Sequence, residues 1–263
     1  MSTQIRRSRM KKLTNRLPEL GRMRLGAERK GNRPGKPLDT FRFTSPERGV
    51  LDSISSLYGG EVTRWADQWQ VIVTEKLIPV MIPPPSESWT PCSVTYEHWV
   101  SSGWDRRCDG EACVVWNEAT DGTYDQVSVP CMCNLQEEAD PHGSFERCKP
   151  VTRLNVIIQG IEPLGMFMLS STGWNAAQEL PGLTSALAAA MSRNIMVPAS
   201  LRIESVTQRG FAFRSNKNQS GTVHFKKPVL EIRQSVNQLM GEEPLTPIQA
   251  PVDPITGELP SPY

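Results

Sequence analysis

The chain has 263 residues, 38% of them hydrophobic and 22% charged, with a formal net charge of +1. That is an ordinary soluble composition, long enough for one large domain or two small ones. The 22 prolines and 19 glycines exclude a long coiled coil or an all-helical bundle, and no apolar stretch approaches the ~20 residues that span a bilayer. The basic N-terminus is not followed by an apolar run, so no secretory signal is expected and an intracellular setting is.

Charge is unevenly divided. Residues 1–36 hold 12 Lys and Arg against 2 Asp and Glu, leaving 17 against 26 in the remainder. This segment reads as a basic arm. Its residues Arg6, Arg7, Arg9, Lys11 and Lys12, followed by Arg16, Arg22 and Arg24, are candidates for contact with nucleic-acid phosphate, because clustered cations gain free energy by releasing counterions. Its leucines, among them Leu13, Leu17, Leu20 and Leu25, suit docking on protein equally well.

A loop over 33–37 follows, where Pro34 and Pro37 stop any helix. Phe41 and Phe43 alternate with polar residues as in a short strand. Ser45 then reads as a helix N-cap with Pro46 in the first turn, Val50, Leu51, Ile54 and Leu57 as the buried stripe, and Gly59-Gly60 as the stop. Strands are expected at 69–74 and 77–82, the second closed by Pro83-Pro84-Pro85.

Residues 86–150 contain all six cysteines, four of the seven tryptophans and two of the three histidines, with little apolar periodicity. They read as a loop-rich insert that a hydrophobic core alone does not hold. Regular patterning returns with strands at 154–158 and 165–169 around Glu162-Pro163. A helical stretch at 174–180 is expected to break at Pro181-Gly182 and resume over 183–191. Segments 199–208 and 221–232 make an antiparallel pair, the second nearer an edge because it contains Pro228. From residue 241 a proline-rich composition indicates an unstructured tail. The expected architecture is α+β: mixed or antiparallel strands, few helices, a core over 37–240 and a cysteine-rich insert organised by zinc.

An intracellular chain keeps thiols reduced, which favours metal over disulfides. Cys131-Met132-Cys133 suits two thiolates on one turn, and the preferred tetrahedral quartet is Cys108, Cys131, Cys133 and Cys148. Cys113 is an alternative to Cys108, and His142 to Cys148. Four thiolates leave no open coordination position, so such a zinc ion is structural. Phosphate-binding loops, dinucleotide fingerprints, zinc-protease motifs and the nucleophile elbow are all missing from the sequence. No enzymatic activity is expected. Around Cys108, Arg106 and Arg107 either hold a partner's acidic groups or pair with Asp105 and Asp109.

Several segments taken together are familiar: LPELGRMRLG (17–26), RPGKPLDTFRFTSPER (33–48), LYGGEV (57–62), RRCDG (106–110), PCMC (130–133), CKPVTRLNV (148–156) and GWNAAQELPG (173–182). In this order they resemble the recombination directionality factors of actinophages that partner large serine integrases. The resemblance implies Cys108, Cys131, Cys133 and Cys148 as shared cysteines. It also implies a non-enzymatic protein of the bacterial host cytoplasm. Such a protein binds the integrase in its DNA-bound synaptic complex, activates attL × attR excision and inhibits attP × attB integration. Partner contact is expected on the insert or the N-terminal segment, with Trp99, Trp104, Arg106 and Arg107 as candidates, because tryptophan and arginine dominate interface energetics. Neither a membrane nor a small-molecule substrate is expected. From the residues alone, a zinc-containing nucleic-acid-binding accessory protein of phage replication is the alternative.

Overall fold

Thirteen strands in the computed structural model arise where apolar side chains alternate with polar ones and one face can be buried. The structure describes residues 17–28, 35–85, 90–100, 103–118, 124–131, 133, 147–190, 195–211, 220–240, 242–244 and 246. The strands are β1 (Glu19–Gly26), β2 (Pro37–Ser45), β3 (Val62–Trp65), β4 (Gln68–Ile72), β5 (Leu77–Ile82), β6 (Cys92–Val100), β7 (Gly103–Cys108), β8 (Ala112–Glu118), β9 (Tyr124–Pro130), β10 (Lys149–Ile158), β11 (Met166–Ser171), β12 (Val197–Phe211) and β13 (Ser220–Glu231). Three helices are described: α1 (Arg48–Tyr58), α2 (Trp174–Ala190) and α3 (Val236–Met240). The α+β expectation holds, with strands dominant.

Ten strands run in the order β3-β4-β2-β1-β11-β10-β6-β7-β8-β9. All neighbours are antiparallel except β1 and β11, which pair in parallel from Glu19↔Met166 to Met23↔Leu169. Strand β10 holds two partners in succession on one side. Lys149 to Leu154 pair with β6, while Ile157 and Ile158 pair with β5. Strand β5 pairs with β12, and β12 with β13. The core lies on one side of the long sheet, where Met23, Phe43, Leu154, Phe167 and Leu169 meet α1 through Leu51 and Ile54, and α2 through Ala176, Leu180 and Leu187.

Several boundaries differ from the sequence reading, each for a physical reason. Residues 19–26, assigned above to the basic arm, form an interior strand, because Leu20 and Met23 are buried between the flanking strands. The described residues of 86–150 are not predominantly loop: β6, β7, β8 and β9 prolong the main sheet edge by successive hairpins. Ser45 ends β2 instead of capping α1. Its hydroxyl donates to Leu20 O (2.7 Å) and accepts from the Glu47 amide (3.1 Å), and Glu47 takes the N-cap position. Pro181 does not break α2. It removes one amide, while Thr184 Oγ1 donates to the carbonyls of Leu180 (3.0 Å) and Pro181 (3.1 Å), and buried Leu180 and Leu187 anchor both halves. The expected stop at Gly59-Gly60 is observed, and backbone conformation explains it. Gly59 has φ +71°, Gly60 φ +98°, and a Cβ on either would lie 2.2 Å from Thr74 Oγ1 or Ile72 O. The β12–β13 pair is as expected, with Pro228 in the outer strand. Residues 1–16 of the arm, His142, and the tail beyond 246 lie outside the described residues.

Candidate functional site

The sequence Arg22-Met23-Arg24 in β1 sends Met23 into the core and both arginines to the opposite face of the sheet. Register sets the neighbours on that face. Arg24 stands opposite Arg42 of β2, Arg22 opposite Met168 of β11, Arg153 of β10 opposite Ser170, and Lys149 opposite Glu97 of β6. A groove of about 1070 Å³ lies here, lined by Arg22, Arg24, Arg147, Lys149 and Arg153 with Glu97, His98 and Trp99. It adjoins a second concavity, also bordered by Arg22 and Arg24, that is completed by Arg42, Trp65 and Lys226. Together the two are lined by seven lysines and arginines against two carboxylates, Glu28 and Glu97.

Glu97 is the centre of the hydrogen bonding. Its side chain is fully buried and accepts from Thr95 Oγ1 (2.9 Å), Trp99 Nε1 (2.8 Å), Arg107 Nε (2.7 Å) and Arg153 Nη2 (2.8 Å). Burial alone would raise its pKa. The hydrogen bonds from Arg153, Trp99 and Thr95, with the charge on Arg153, outweigh that and hold it down at about 2. Glu97 therefore fixes the positions of Arg153 and Arg107, and its single charge offsets one of their two, so the trio keeps a net positive charge.

The cations of β1 and β2 are held differently. Arg42 donates to Gly26 O (2.9 Å) and Gln70 Oε1 (2.7 Å), and Arg24 approaches Thr44 Oγ1 (3.5 Å). Both guanidiniums lie over the Trp65 ring, at 4.9 and 5.3 Å from its centroid. The pKa of Arg24 is lowered, first by burial and then by the like charges of Arg42 and Arg22. Among the described residues no carboxylate pairs with Arg24; hydrogen bonds, the Trp65 ring and the Glu28 charge acting on Arg42 hold the two guanidiniums together against their own repulsion. Among the described residues Arg22 has only an exposed ion pair with Glu19 (3.0 Å), which contributes little.

On the core side of β7, β8 and β9 the cysteines gather. Cys108, Cys113 and Cys131 form one buried cluster with Cys133 packed against it. Cys108 and Cys113 face each other across the β7–β8 turn. The Cys131 amide donates to Glu111 O (2.8 Å), which draws 131–133 onto the same turn. The Gly110 amide donates to Cys108 Sγ (3.1 Å), and the Cys148 amide approaches Cys133 Sγ (3.4 Å). Burial is the main cause that pushes the Cys108 thiol up to about 11 and the Cys148 thiol up to about 12, with neighbouring thiols adding to it. All six cysteines are described and none is in a disulfide. Among the described residues no three His, Cys, Asp or Glu side chains converge as a metal group. In donor chemistry the set fits zinc, five sulfurs from three nearby segments. Cys92 is remote from it, buried in the main core.

The expected contact residues separate. Trp99 is 56% exposed at the β6–β7 hairpin end, beside exposed Val100. Trp104 is half-buried under the Arg107 guanidinium, 4.9 Å from the ring centroid. Arg106 is only 8% exposed and donates to Asp105 Oδ2 (3.1 Å), which also meets His98 Nδ1 (2.7 Å), so it serves the interior. The pairing of Arg107 is with Glu97, not Asp109, whose carboxylate accepts the amides of Glu111 and Ala112 instead. Sequence reasoning passed over Arg42, Glu97, Lys149 and Arg153. The cue available was alternation, clearest at Arg42, which sits between the buried Phe41 and Phe43.

A family model described as Gp3-like, recombination directionality factor-like, matches residues 20–233. No curated protein and no solved structure matches the chain.

Proposed function

Because the chain belongs to the recombination directionality factor-like family, we propose that it binds a phage large serine integrase and switches it from integration to excision. The family match over 20–233 carries this reading. The geometry suits it: permanent charges and indole rings fixed by hydrogen bonds form a binding surface. Integrase contact falls on the β6–β7 hairpin, through exposed Trp99 and Val100 with Trp104 and Arg107 behind them. Directionality needs only a coupling free energy: a factor that binds the excision-competent arrangement 100-fold better contributes about 2.7 kcal/mol. The test is recombination in vitro with the cognate integrase. Added protein should stimulate attL × attR and suppress attP × attB, and Trp99→Ala should weaken both effects at least tenfold. No effect on either reaction by a folded sample refutes the proposal.

A structural zinc ion is a separate proposal. Cys108, Cys131, Cys133 and Cys148 would hold it, with Cys113 alongside, and a tetrathiolate ion would tie β7–β8 to the segments around 131 and 148. Metal analysis of protein purified without chelator should return one zinc per chain, and Cys131→Ser should abolish it. Zinc-free protein with an unchanged melting temperature counts against it.

A further inference from the structure

We infer that the cationic face of β1, β2, β10 and β11 is a binding site for the phosphodiester backbone of nucleic acid, an activity independent of the integrase. Arg22 and Arg24 lie two residues apart on one strand, roughly 6.6 Å, and Arg42, Arg153 and Lys149 continue the row across strands. Guanidiniums fork onto phosphate oxygens, and a fixed planar group gives up little freedom in doing so.

Three observations favour an extended polyanion over a single small anion. The cations run along two adjoining concavities instead of converging on one point. Arg24 and Arg42 are held in place by Trp65, Gln70, Thr44 and a backbone carbonyl; Glu28 acts on Arg42, while Arg24 keeps the like charges of Arg42 and Arg22 beside it, which an incoming negative charge relieves. The groove's buried carboxylate, Glu97, is already engaged by Arg107 and Arg153. A carboxylate-bearing protein surface is the competing occupant. The row of guanidiniums spaced along strands favours the phosphodiester, which repeats one charge per residue along a flexible line.

The experiment is fluorescence anisotropy of a labelled 20-nucleotide mixed-sequence single strand, and of its duplex, with the full-length protein from 50 to 300 mM NaCl. Both forms share the chemistry, and the two titrations show which one the face prefers. With three contacts removed, Arg22→Gln/Arg24→Gln/Lys149→Gln should lower the single-strand salt slope by about 2 and weaken binding on the order of 100-fold near 0.1 M salt. The exposed pair Arg22→Gln/Lys149→Gln should lose about 25-fold and keeps the test valid if replacing Arg24 disturbs the sheet. Arg48→Gln/Arg233→Gln, an equal charge loss elsewhere, should stay within twofold. A full-length variant with Arg6, Arg7, Arg9, Lys11 and Lys12 changed to Gln separates the arm from the face.

The inference is overturned by any of several results. These are no salt-dependent binding by the wild type, equal binding by the exposed-pair variant, or loss confined to the arm variant. Displacement by polyglutamate as readily as by unlabelled strand also overturns it, assigning the face to an acidic protein. None of these readouts uses integrase, so failure here leaves the recombination proposal standing, and the converse.

Discussion

Replacing Glu97 with Gln tests how the open face is held together. The carboxylate is fully buried and bonded to Arg107 and Arg153, and its pKa is brought from 4.5 to about 2. At 1.36 kcal/mol per unit that shift amounts to about 3.4 kcal/mol. The groove beside it is open to solvent, which screens the pair, so 2–3 kcal/mol is the working magnitude. A depressed folded-state pKa stabilises the fold above the unfolded value, near 4.5, and that stability is lost as pH falls toward about 2. Glu97→Gln should therefore lose about 2–3 kcal/mol at pH 7 in urea denaturation, and the gap to wild type should narrow by about 1–2 kcal/mol at pH 3. The same variant frees two guanidiniums and should bind polyanions more tightly. A loss below about 0.5 kcal/mol at pH 7, or a gap that does not change with pH, refutes the reasoning.

Leu154→Ala empties a fully buried position between β6 and β11 and should cost about 2–5 kcal/mol in chemical denaturation, with an unchanged m-value. Gly59→Ala places a Cβ against Thr74 Oγ1 at φ +71° and should lower stability by about 1–3 kcal/mol, seen as a lower melting temperature. Pro181→Ala restores an amide inside α2 and should raise stability by about 1 kcal/mol in the same assay. If no metal is bound, Cys108 and Cys148 should resist iodoacetamide at pH 8 in the native protein, since their thiols ionise only near 11 and 12; mass spectrometry after a timed quench reads this out.

Elements whose burial follows local alternation were legible. The β5 bounds, the Gly59-Gly60 stop and the β12–β13 pair all depend on neighbours in sequence. The role of β1 was not legible, because Leu20 and Met23 look like any short apolar pair until β11 supplies the other wall. Strands β6 to β9 were hidden for a related reason. Their cysteines, tryptophans and charges suggested loops, yet hairpin pairing satisfies the backbone whatever side chains face outward. Helix α2 shows the limit of a local rule, since proline was weighed without the packing of Leu180 and Leu187. The cysteine gathering was readable from Cys131 and Cys133, but Cys113 joins it only because β8 folds back on β7. Of the cationic face only Arg22 and Arg24 were legible, as members of the basic arm; Arg42, Lys149 and Arg153 come from strands far apart in the chain.

The parallel pairing of residue 19 with residue 166 bears on how the chain emerges from the ribosome. β1 can join β2 early, but its other edge stays bare until β11 is made, on the order of 10–30 s later at ~5–20 residues per second. A bare edge invites pairing with another nascent chain. During that wait Arg22 and Arg24 put positive charge along the exposed edge, a deterrent to aggregation. The residues proposed above to meet phosphate in the finished fold would thus serve first as gatekeepers of an unfinished one.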